Sequence, residues 1–172
     1  MKKILLHTCC APCTTYVHRY LVGASLEVNG LFYNPNIRPP AEWEKRGATM
    51  NDYAQITGLT MLEVPHDLAI PPGDCDQCYR TRLRRTASLA NQYGYSCFTT
   101  TLLISPYQKH DRLKEIGEAA AKEFGVPFFY HDFRDAYQES RSLSRQMKLY
   151  RQKYCGCGVD LKLKGEIYAQ VN

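Results

Sequence analysis

The sequence lacks any apolar run that approaches the about 20 residues that a membrane-spanning helix needs. It also lacks low-complexity tracts, internal repeats and linker-like segments, so its 172 residues predict one domain, 1–172. Only three consecutive apolar residues precede His7, too few for the core of a secretory signal peptide. We therefore expect a cytoplasmic protein without a membrane partner.

The chain does not lack apolar residues or positive charge. Hydrophobic residues make up 44% of it, which is enough for a globular core that needs no disulfides. The formal net charge is +5 at pH 7. This mildly basic character favours an anionic partner.

Cysteine is abundant, and seven of the eight cysteines fall into three tight clusters. The clusters are Cys9, Cys10 and Cys13, then Cys75 and Cys78, then Cys155 and Cys157. Cysteines of a cytosolic chain are metal ligands or catalytic thiols more often than disulfides, although disulfides are an alternative. One tetrahedral metal or one cubane cluster takes four ligands, so seven thiols leave three for a second metal. The lone Cys97 is predicted to be a core residue.

Signals for strands and helices alternate along the chain, as they do in folds with a parallel sheet. The five predicted strands span residues 3–7, 26–33, 59–64, 97–104 and 126–130. Five helices are predicted. The first is capped by Thr14 or Thr15 and runs through Tyr20, and the second begins at about Ala41 and is stopped by Gly58. The third follows a Pro/Gly loop at 71–73 and is opened by Asp74, the fourth runs from about Asp111 to Phe124 with Gly125 as its stop, and the fifth spans Ser140 to Tyr154. The predicted fold class is α/β, with a Rossmann-like five-stranded parallel sheet flanked by helices.

The order of these elements predicts where a ligand binds. In the common strand order 3-2-1-4-5 the chain reverses between strands one and four, and ligands bind there, beyond the carboxyl ends of the strands. The first cysteine cluster follows strand one, the second follows strand three, and the segment 100–107 ends strand four. We therefore expect these three motifs to lie on one edge of the sheet.

The first turn after a strand, His7-Thr-Cys-Cys-Ala-Pro-Cys13, has no glycine, which argues against a phosphate-binding loop. Thiols near a helix N-terminus have a lowered pKa and are good metal ligands. Because side chains of adjacent residues diverge, Cys9 and Cys10 are expected to point toward two neighbouring centres. Burial of Cys9 as a small apolar residue is the alternative.

The second and third clusters carry the same chemistry. Cys75-Asp-Gln-Cys78 lies at a predicted helix start and indicates either metal ligands or a thioredoxin-type dithiol. Asp76 between them is an oxygen ligand or, as we favour, a charge that complements the helix dipole. In Cys155-Gly-Cys157-Gly the glycines let the backbone wrap tightly around a metal.

Basic residues alternate with aromatic ones in two stretches, a pattern that suits either RNA contact or a solvated helix face. They are Arg80, Arg82, Arg84 and Arg85 beside Tyr79, and Arg141, Arg145, Lys148, Arg151 and Lys153 beside Tyr150 and Tyr154. The segment Thr99–Lys109 offers hydroxyls, an amide and an ammonium that can orient a polar ligand. Four histidines are left open as ligands, acids or surface residues: His7, His66, His110 and His131.

These motifs together resemble the QueH-type epoxyqueuosine reductases, and the resemblance runs from Ile4 to Cys157. It rests on five segments: His7-x-Cys-Cys-Ala-Pro-Cys13, Tyr33-Asn-Pro-Asn-Ile37, Cys75-x-x-Cys78-Tyr-Arg80, Phe98-Thr-Thr-Thr-Leu-Leu-x-Ser-Pro-Tyr107 and Leu149-Tyr-Arg-Gln-Lys-Tyr-Cys-Gly-Cys157. The family is similar to the HUP group of α/β folds, which agrees with the predicted strand order.

The resemblance implies the last step of queuosine synthesis in tRNA. Epoxyqueuosine at the wobble position would be reduced by two electrons to queuosine, and the epoxide oxygen would leave as water. The implied cofactors are a 4Fe-4S cluster and a second, mononuclear metal, iron or zinc, without cobalamin. The implied partners are the tRNA and an electron donor.

On this interpretation all seven clustered cysteines are metal ligands, with Cys9, Cys10, Cys75, Cys78, Cys155 and Cys157 holding the cofactor and Cys13 a further ligand. The candidate catalytic acids are His7, Asp76, Tyr107 and Lys109. Two other functions use the same thiols. One is a structural zinc-binding RNA module, and the other is a thiol–disulfide oxidoreductase that uses Cys75 and Cys78.

Overall fold

The computed structural model describes residues 1–65 and 74–157 of the chain. Its strands are β1 (Lys2–His7), β2 (Leu26–Leu31), β3 (Thr60–Leu62) and β4 (Cys97–Thr100). Its helices are α1 (Ala11–Gly23), α2 (Pro40–Thr57), α3 (Cys75–Gln92), α4 (His110–Phe124) and α5 (Tyr137–Gln146). The predicted α/β class is confirmed.

The strands form one parallel sheet in the order β3-β2-β1-β4. The chain moves from β1 to β2 and β3 on one side and then crosses to β4 on the other side of β1. The order in which the strands are added therefore reverses between β1 and β4, as predicted. The loops that follow these two parallel strands lie at the same edge of the sheet.

Strand β1 is the centre of the core. Ile4, Leu5 and Leu6 have no exposed surface, because the strand pairs on both sides and is covered on both faces. A near-continuous apolar run is typical of such a strand in a parallel sheet. The rigid strand ends in His7, and this fixes the position of the turn that follows.

The predicted fifth strand at residues 126–130 is not confirmed. Next to β4 the segment makes a single parallel bridge, between Phe98 and Phe128, with backbone hydrogen bonds from Phe98 to Pro127 and from Phe129 to Phe98. Pro127 has no N–H group to extend the ladder. The segment occupies the expected fifth position, but the confirmed sheet has four strands.

Three helix ends agree with the residues that predicted them. The carboxylate of Asp74 accepts a hydrogen bond of 2.9 Å from the Gln77 backbone and caps α3. Gly58 and Gly125 follow α2 and α4 with φ angles of 72° and 67°, a left-handed conformation that favours glycine.

The start of α1 differs from the prediction. The helix begins at Ala11, with Cys10 as its N-cap and Pro12 in its first turn. The hydroxyls of Thr14 and Thr15 donate to the carbonyls of Cys10 and Pro12, so they lie inside the helix and do not cap it. Cys10 and Cys13 therefore lie at the N-terminus of α1, Cys10 as the N-cap and Cys13 in the first turn.

Four predicted elements are too long. The predicted strands at 26–33 and 59–64 are observed as Leu26–Leu31 and Thr60–Leu62. The predicted strand at 97–104 ends at Thr100, because the Thr100 hydroxyl accepts from the Leu102 backbone and starts a 3₁₀ turn over Thr101–Ile104. The predicted helix at 140–154 ends at Gln146, and Lys148 has a left-handed φ of 53°. Because the helix ends there, residues 151–156 follow a different path and reach the edge of the sheet.

No helix among residues 1–65 and 74–157 is both long and apolar enough to cross a membrane. His66 and the predicted loop at 71–73 lie outside the described residues.

Candidate metal centre and cavity

Three thiols meet where β1 ends and α1 begins, and we call Cys9, Cys10 and Cys13 the thiol triad. Their sulfur atoms all lie within 4.8 Å of one another, and those of Cys9 and Cys10 are 3.7 Å apart. Two sulfurs bound to one tetrahedral metal at about 2.3 Å lie about 3.8 Å apart. The triad can therefore hold one metal ion.

This convergence corrects the expectation that Cys9 and Cys10 point toward two centres. Side chains alternate in direction along a strand, but Cys10 is already the N-cap of a helix. The change from strand to helix brings its sulfur back beside that of Cys9. Because Cys9 lines a cavity and is only partly buried, it is also not a simple core residue.

The protonation of the triad favours one thiolate. Hydrogen bonds from Cys13 and Cys9 lower the pKa of Cys10 well below its usual value, although burial opposes this. The same hydrogen bonds to Cys10 raise the pKa values of Cys9 and Cys13. The N-terminus of α1 also stabilises negative charge at this position. Because the thiolate is the form of cysteine that binds metal, Cys10 can bind a metal ion without first losing a proton.

Two polar side chains hold the triad in place. The Thr101 hydroxyl donates to the sulfur of Cys9 at 3.2 Å and accepts from the Cys9 backbone at 3.0 Å. The amide nitrogen of Gln152 donates to the sulfur of Cys10 at 2.9 Å. Outer contacts of this kind orient ligands and tune a metal centre.

A cavity of about 530 Å³ opens over the triad, with Cys9 and Cys13 in its wall. This volume suits a nucleotide-sized ligand. Its wall contains aromatic, amide and hydroxyl side chains and five basic residues, and no acidic residue of the described chain. The basic residues are Arg46, Arg82, Arg141, Arg151 and Lys153. The site therefore favours an anionic ligand.

The other clustered cysteines surround this site unequally. Cys155 lines the cavity, and a hydrogen bond of 2.8 Å from the Arg38 backbone to the Gly156 carbonyl holds its segment. Cys75 and Cys78 lie in the first turn of α3 and are not part of the cavity wall. Within the described chain, none of these residues or Cys157 joins the triad to form a larger group of ligands. The eight cysteines, all within the described residues, form no disulfide with one another.

His7 is fully buried at the end of β1, and both of its ring nitrogens are used. Nε2 lies 3.0 Å from the Tyr33 carbonyl, which can only accept, so Nδ1 accepts from the Thr100 hydroxyl at 2.8 Å. Burial, with the charge of Arg82, lowers the pKa of His7 to about 3. His7 is therefore neutral and ties together the ends of β1, β2 and β4.

Asp76 faces α4. Its carboxylate accepts two hydrogen bonds from Arg112, the shorter at 2.6 Å, and this contact holds the pKa of Asp76 below its usual value. An ionised carboxylate paired in this way has no proton to donate. The position agrees with the interpretation that Asp76 complements the dipole of α3.

The two remaining acid candidates lie in one loop. Tyr107 lines the cavity and packs edge-to-face against Tyr137, with ring centroids 6.1 Å apart. Lys109 is exposed at the start of α4, and its backbone donates to the Tyr79 hydroxyl at 3.1 Å. Tyr79 in turn donates to Gln108 at 2.7 Å. This chain of contacts fixes the loop against α3.

Comparison with known proteins decides the family. The model of the family described as epoxyqueuosine reductase QueH matches residues 4–162. The chain belongs to the QueH family.

Individual relatives cover nearly all of the chain. The epoxyqueuosine reductase QueH of Dehalococcoides mccartyi is 39% identical over 164 residues, which is 90% of this chain and 90% of the relative. That of Thermotoga maritima is 34% identical over 192 residues, with 100% and 97% covered. That of Staphylococcus epidermidis is 28% identical, with 99% and 81% covered.

In this QueH family member the predicted basic runs divide between different surfaces. Arg82 is buried in the cavity wall, whereas Arg84, about 200° around the helix from it, is exposed and pairs with Glu123 of α4. Arg141, Arg151 and Lys153 are exposed at the cavity. The sequence pattern alone does not show which of these basic residues are buried and which are exposed.

Several residues of the site were not predicted. Tyr137 and Ser140 of α5 line the cavity together with Arg46 of α2, which is far from them in the sequence. Gln152 belongs to the segment from Leu149 to Cys157 that carries the family resemblance. Its contact with Cys10, however, depends on the early end of α5. No local signal could have found these contacts.

Proposed function

We propose that this chain is an epoxyqueuosine reductase. It reduces epoxyqueuosine at the wobble position of tRNA to queuosine, and two electrons and two protons convert the epoxide to an alkene and water. The observation that carries the proposal is a thiol triad opening into a basic cavity in a member of the QueH family.

The spacing of the triad supports a division of the metal ligands. Cys9, Cys10 and Cys13 would hold a mononuclear iron or zinc. The four remaining clustered thiols equal the number of ligands of a 4Fe-4S cluster, and these are Cys75, Cys78, Cys155 and Cys157. A cluster bound there would supply single electrons, and a mononuclear metal held by the triad would supply Lewis-acid chemistry at the epoxide oxygen.

The protein's own residues orient the substrate. Tyr107 and Tyr137 offer ring faces against which an unpaired base can stack. The exposed Arg141, Arg151 and Lys153 suit the tRNA phosphates on either side of that base. The modified base can then enter the cavity while the RNA backbone remains outside.

Tyr107 is the acid that we favour, because its side chain lines the cavity. Its hydroxyl would donate a proton to the departing oxygen. The side chain of Lys109 is exposed, and its backbone holds the loop through Tyr79. Asp76 is paired with Arg112 and connects α3 to α4. We therefore assign both residues to the support of the site. His7 would position the turn that carries the triad.

Three further expectations belong to this proposal. Residues 1–172 act as one catalytic domain, turnover requires no cobalamin, and the electrons come from a separate donor. We also expect a cytoplasmic location, where cysteines stay reduced.

Expression in a bacterium that lacks epoxyqueuosine reductase activity tests this function. Its tRNA accumulates epoxyqueuosine, and the wild-type chain should restore queuosine, as measured by nucleoside mass spectrometry. Cys78→Ala and Cys157→Ala should not restore it. Cys97→Ala is the matched control and should behave as wild type. Restoration by either ligand variant would contradict the ligand assignment.

A structural zinc-binding RNA module is the second candidate, because the triad spacing suits zinc as well as iron. This alternative predicts a colourless, zinc-loaded protein after anaerobic purification and after reconstitution with iron and sulfide. The reductase predicts a brown protein with about four irons and four sulfides per cluster, plus the second metal.

A further inference from the structure

Arg82 is a buried cation that faces the cavity. It lies in the second turn of α3, its side chain is 4% exposed, and it forms part of the same wall as Cys9 and Cys13. Its Nε atom is buried, and none of the described residues offers it a hydrogen-bond acceptor. No carboxylate of residues 1–65 or 74–157 forms an ion pair with it.

Three other arginines, in the cavity wall or near Arg82, are paired with carboxylates, whereas the half-buried Arg85 resembles Arg82 in having an Nε atom without an acceptor among the described residues. Arg46, the other buried arginine in the cavity wall, bonds to Glu42 at 2.6 Å. Arg84 pairs with Glu123, and Arg112 pairs with Asp76. A buried charge without a counter-ion is unfavourable, so it indicates an anionic group that joins the site from outside the chain.

Burial separates Arg82 from the exposed cations of the cavity wall. Its positive charge, second to burial, lowers the pKa of His7, so its field reaches the end of β1 where the thiol triad begins. Arg151 and Lys153, by contrast, are exposed. These two suit the phosphates of a backbone that stays outside, whereas Arg82 suits the part of the substrate that enters.

We propose that Arg82 is a catalytic residue that binds the epoxide oxygen as it becomes negatively charged. The inference rests on the proposed function. Two electrons from the separate electron donor enter the substrate, both carbon–oxygen bonds break and an alkene forms. One proton from Tyr107 and one from solvent complete the water that leaves. The guanidinium keeps its protons throughout and donates hydrogen bonds to the oxygen while its charge develops.

The test uses the anaerobically reconstituted enzyme and tRNA that carries epoxyqueuosine. Arg82→Ala and Arg82→Lys are compared with wild type, and Arg84→Ala is the matched control on the same helix. Four quantities are measured for each: iron and sulfide content, tRNA dissociation constant, single-turnover rate at saturating enzyme, and rescue of that rate by added guanidinium ion.

Arg82→Ala should lower the single-turnover rate about 100-fold or more, the usual effect of removing an oxyanion-stabilising donor. Its metal content and dissociation constant should match wild type, and guanidinium ion should restore part of the rate. Arg82→Lys, which keeps a cation and packs more conservatively, should retain part of the rate, and Arg84→Ala should retain all of it.

Three results would overturn the assignment. Weaker tRNA binding at an unchanged rate would assign Arg82 to a backbone phosphate. Loss of iron in both Arg82 variants would assign it to the charge balance of the metal centre. An unchanged rate in Arg82→Ala would remove it from the reaction. Inactivity of the wild type would instead refute the proposed function, and this inference with it.

Discussion

Glu42 holds the segment that completes the cavity. It and Arg46 are 7% and 5% exposed, and their ion pair measures 2.6 Å. The carboxylate also accepts from the Tyr150 hydroxyl at 3.0 Å, and Arg46 donates to the Tyr154 carbonyl at 3.2 Å. We predict that Glu42→Gln loosens this connection between α2 and the segment that carries Cys155.

The size of the effect follows from these contacts. The amide removes the negative charge but keeps one oxygen that can accept from either Arg46 or Tyr150. Losing one hydrogen bond to a charged group costs about 1.5–3 kcal/mol, less than the about 3–5 kcal/mol of leaving a buried cation with no partner. For a chain of this length a loss of about 2 kcal/mol lowers Tm by about 4–8 °C.

The chain's single tryptophan reports this change directly. Trp43 lies next to Glu42 in α2, with its ring 5.7 Å from that of Phe32, so its fluorescence follows unfolding of this region. Urea unfolding at pH 7 should show the predicted loss for Glu42→Gln. Glu44→Gln removes an exposed carboxylate of the same helix and should change the free energy of unfolding by less than about 0.5 kcal/mol. Equal stability of the two variants would refute the reasoning.

The same pair predicts a dependence on pH. Burial alone would raise the pKa of Glu42, but Arg46 outweighs it, and the pKa lies below its usual value. A lowered pKa in the folded state stabilises the protein above the unfolded value and loses this contribution as the pH falls through the folded value. The difference between wild type and Glu42→Gln should therefore be full at pH 7 and shrink in acid.

Three further predictions concern the metal site and the RNA surface. Cys13→Ser should weaken metal binding to the triad at least 10-fold in a chelator competition, because outer contacts alone contribute that much; binding as tight as in wild type would remove Cys13 from the site. Gly156→Ala should reduce the metal content and lower stability by about 1–3 kcal/mol, because its Cβ would lie 2.8 Å from Ile37; an unchanged metal content would contradict this. Arg151→Ala should reduce the salt dependence of tRNA binding by about one unit of log–log slope, and an unchanged slope would place the phosphates elsewhere.

Local sequence signals predicted the parts of the fold that depend on local contacts. Asp74 and Gly58 mark helix ends because a cap needs only a few neighbouring residues. The buried run of β1 predicted a central strand, and the alternation of elements predicted the order that brings β1 and β4 together. The edge of the sheet that carries the triad could therefore be predicted.

The geometry within the site could not be predicted in the same way. Cys9 and Cys10 converge because the chain changes from strand to helix between them, which spacing alone does not show. The residues after Gln146 continue a helical pattern, but contacts with α2 and the cavity direct them elsewhere. Arg82 looked like its neighbours in a basic run, and only its burial distinguishes it.

The most direct test of the central claim is a single-turnover reaction under anaerobic conditions. The reconstituted chain, a chemical reductant such as dithionite and tRNA carrying epoxyqueuosine are mixed, and the nucleosides are then identified by mass spectrometry. Our account predicts that epoxyqueuosine disappears and queuosine, which has one oxygen atom fewer, takes its place. A protein that is fully loaded with iron and sulfide, binds the tRNA and leaves epoxyqueuosine unchanged would contradict the account.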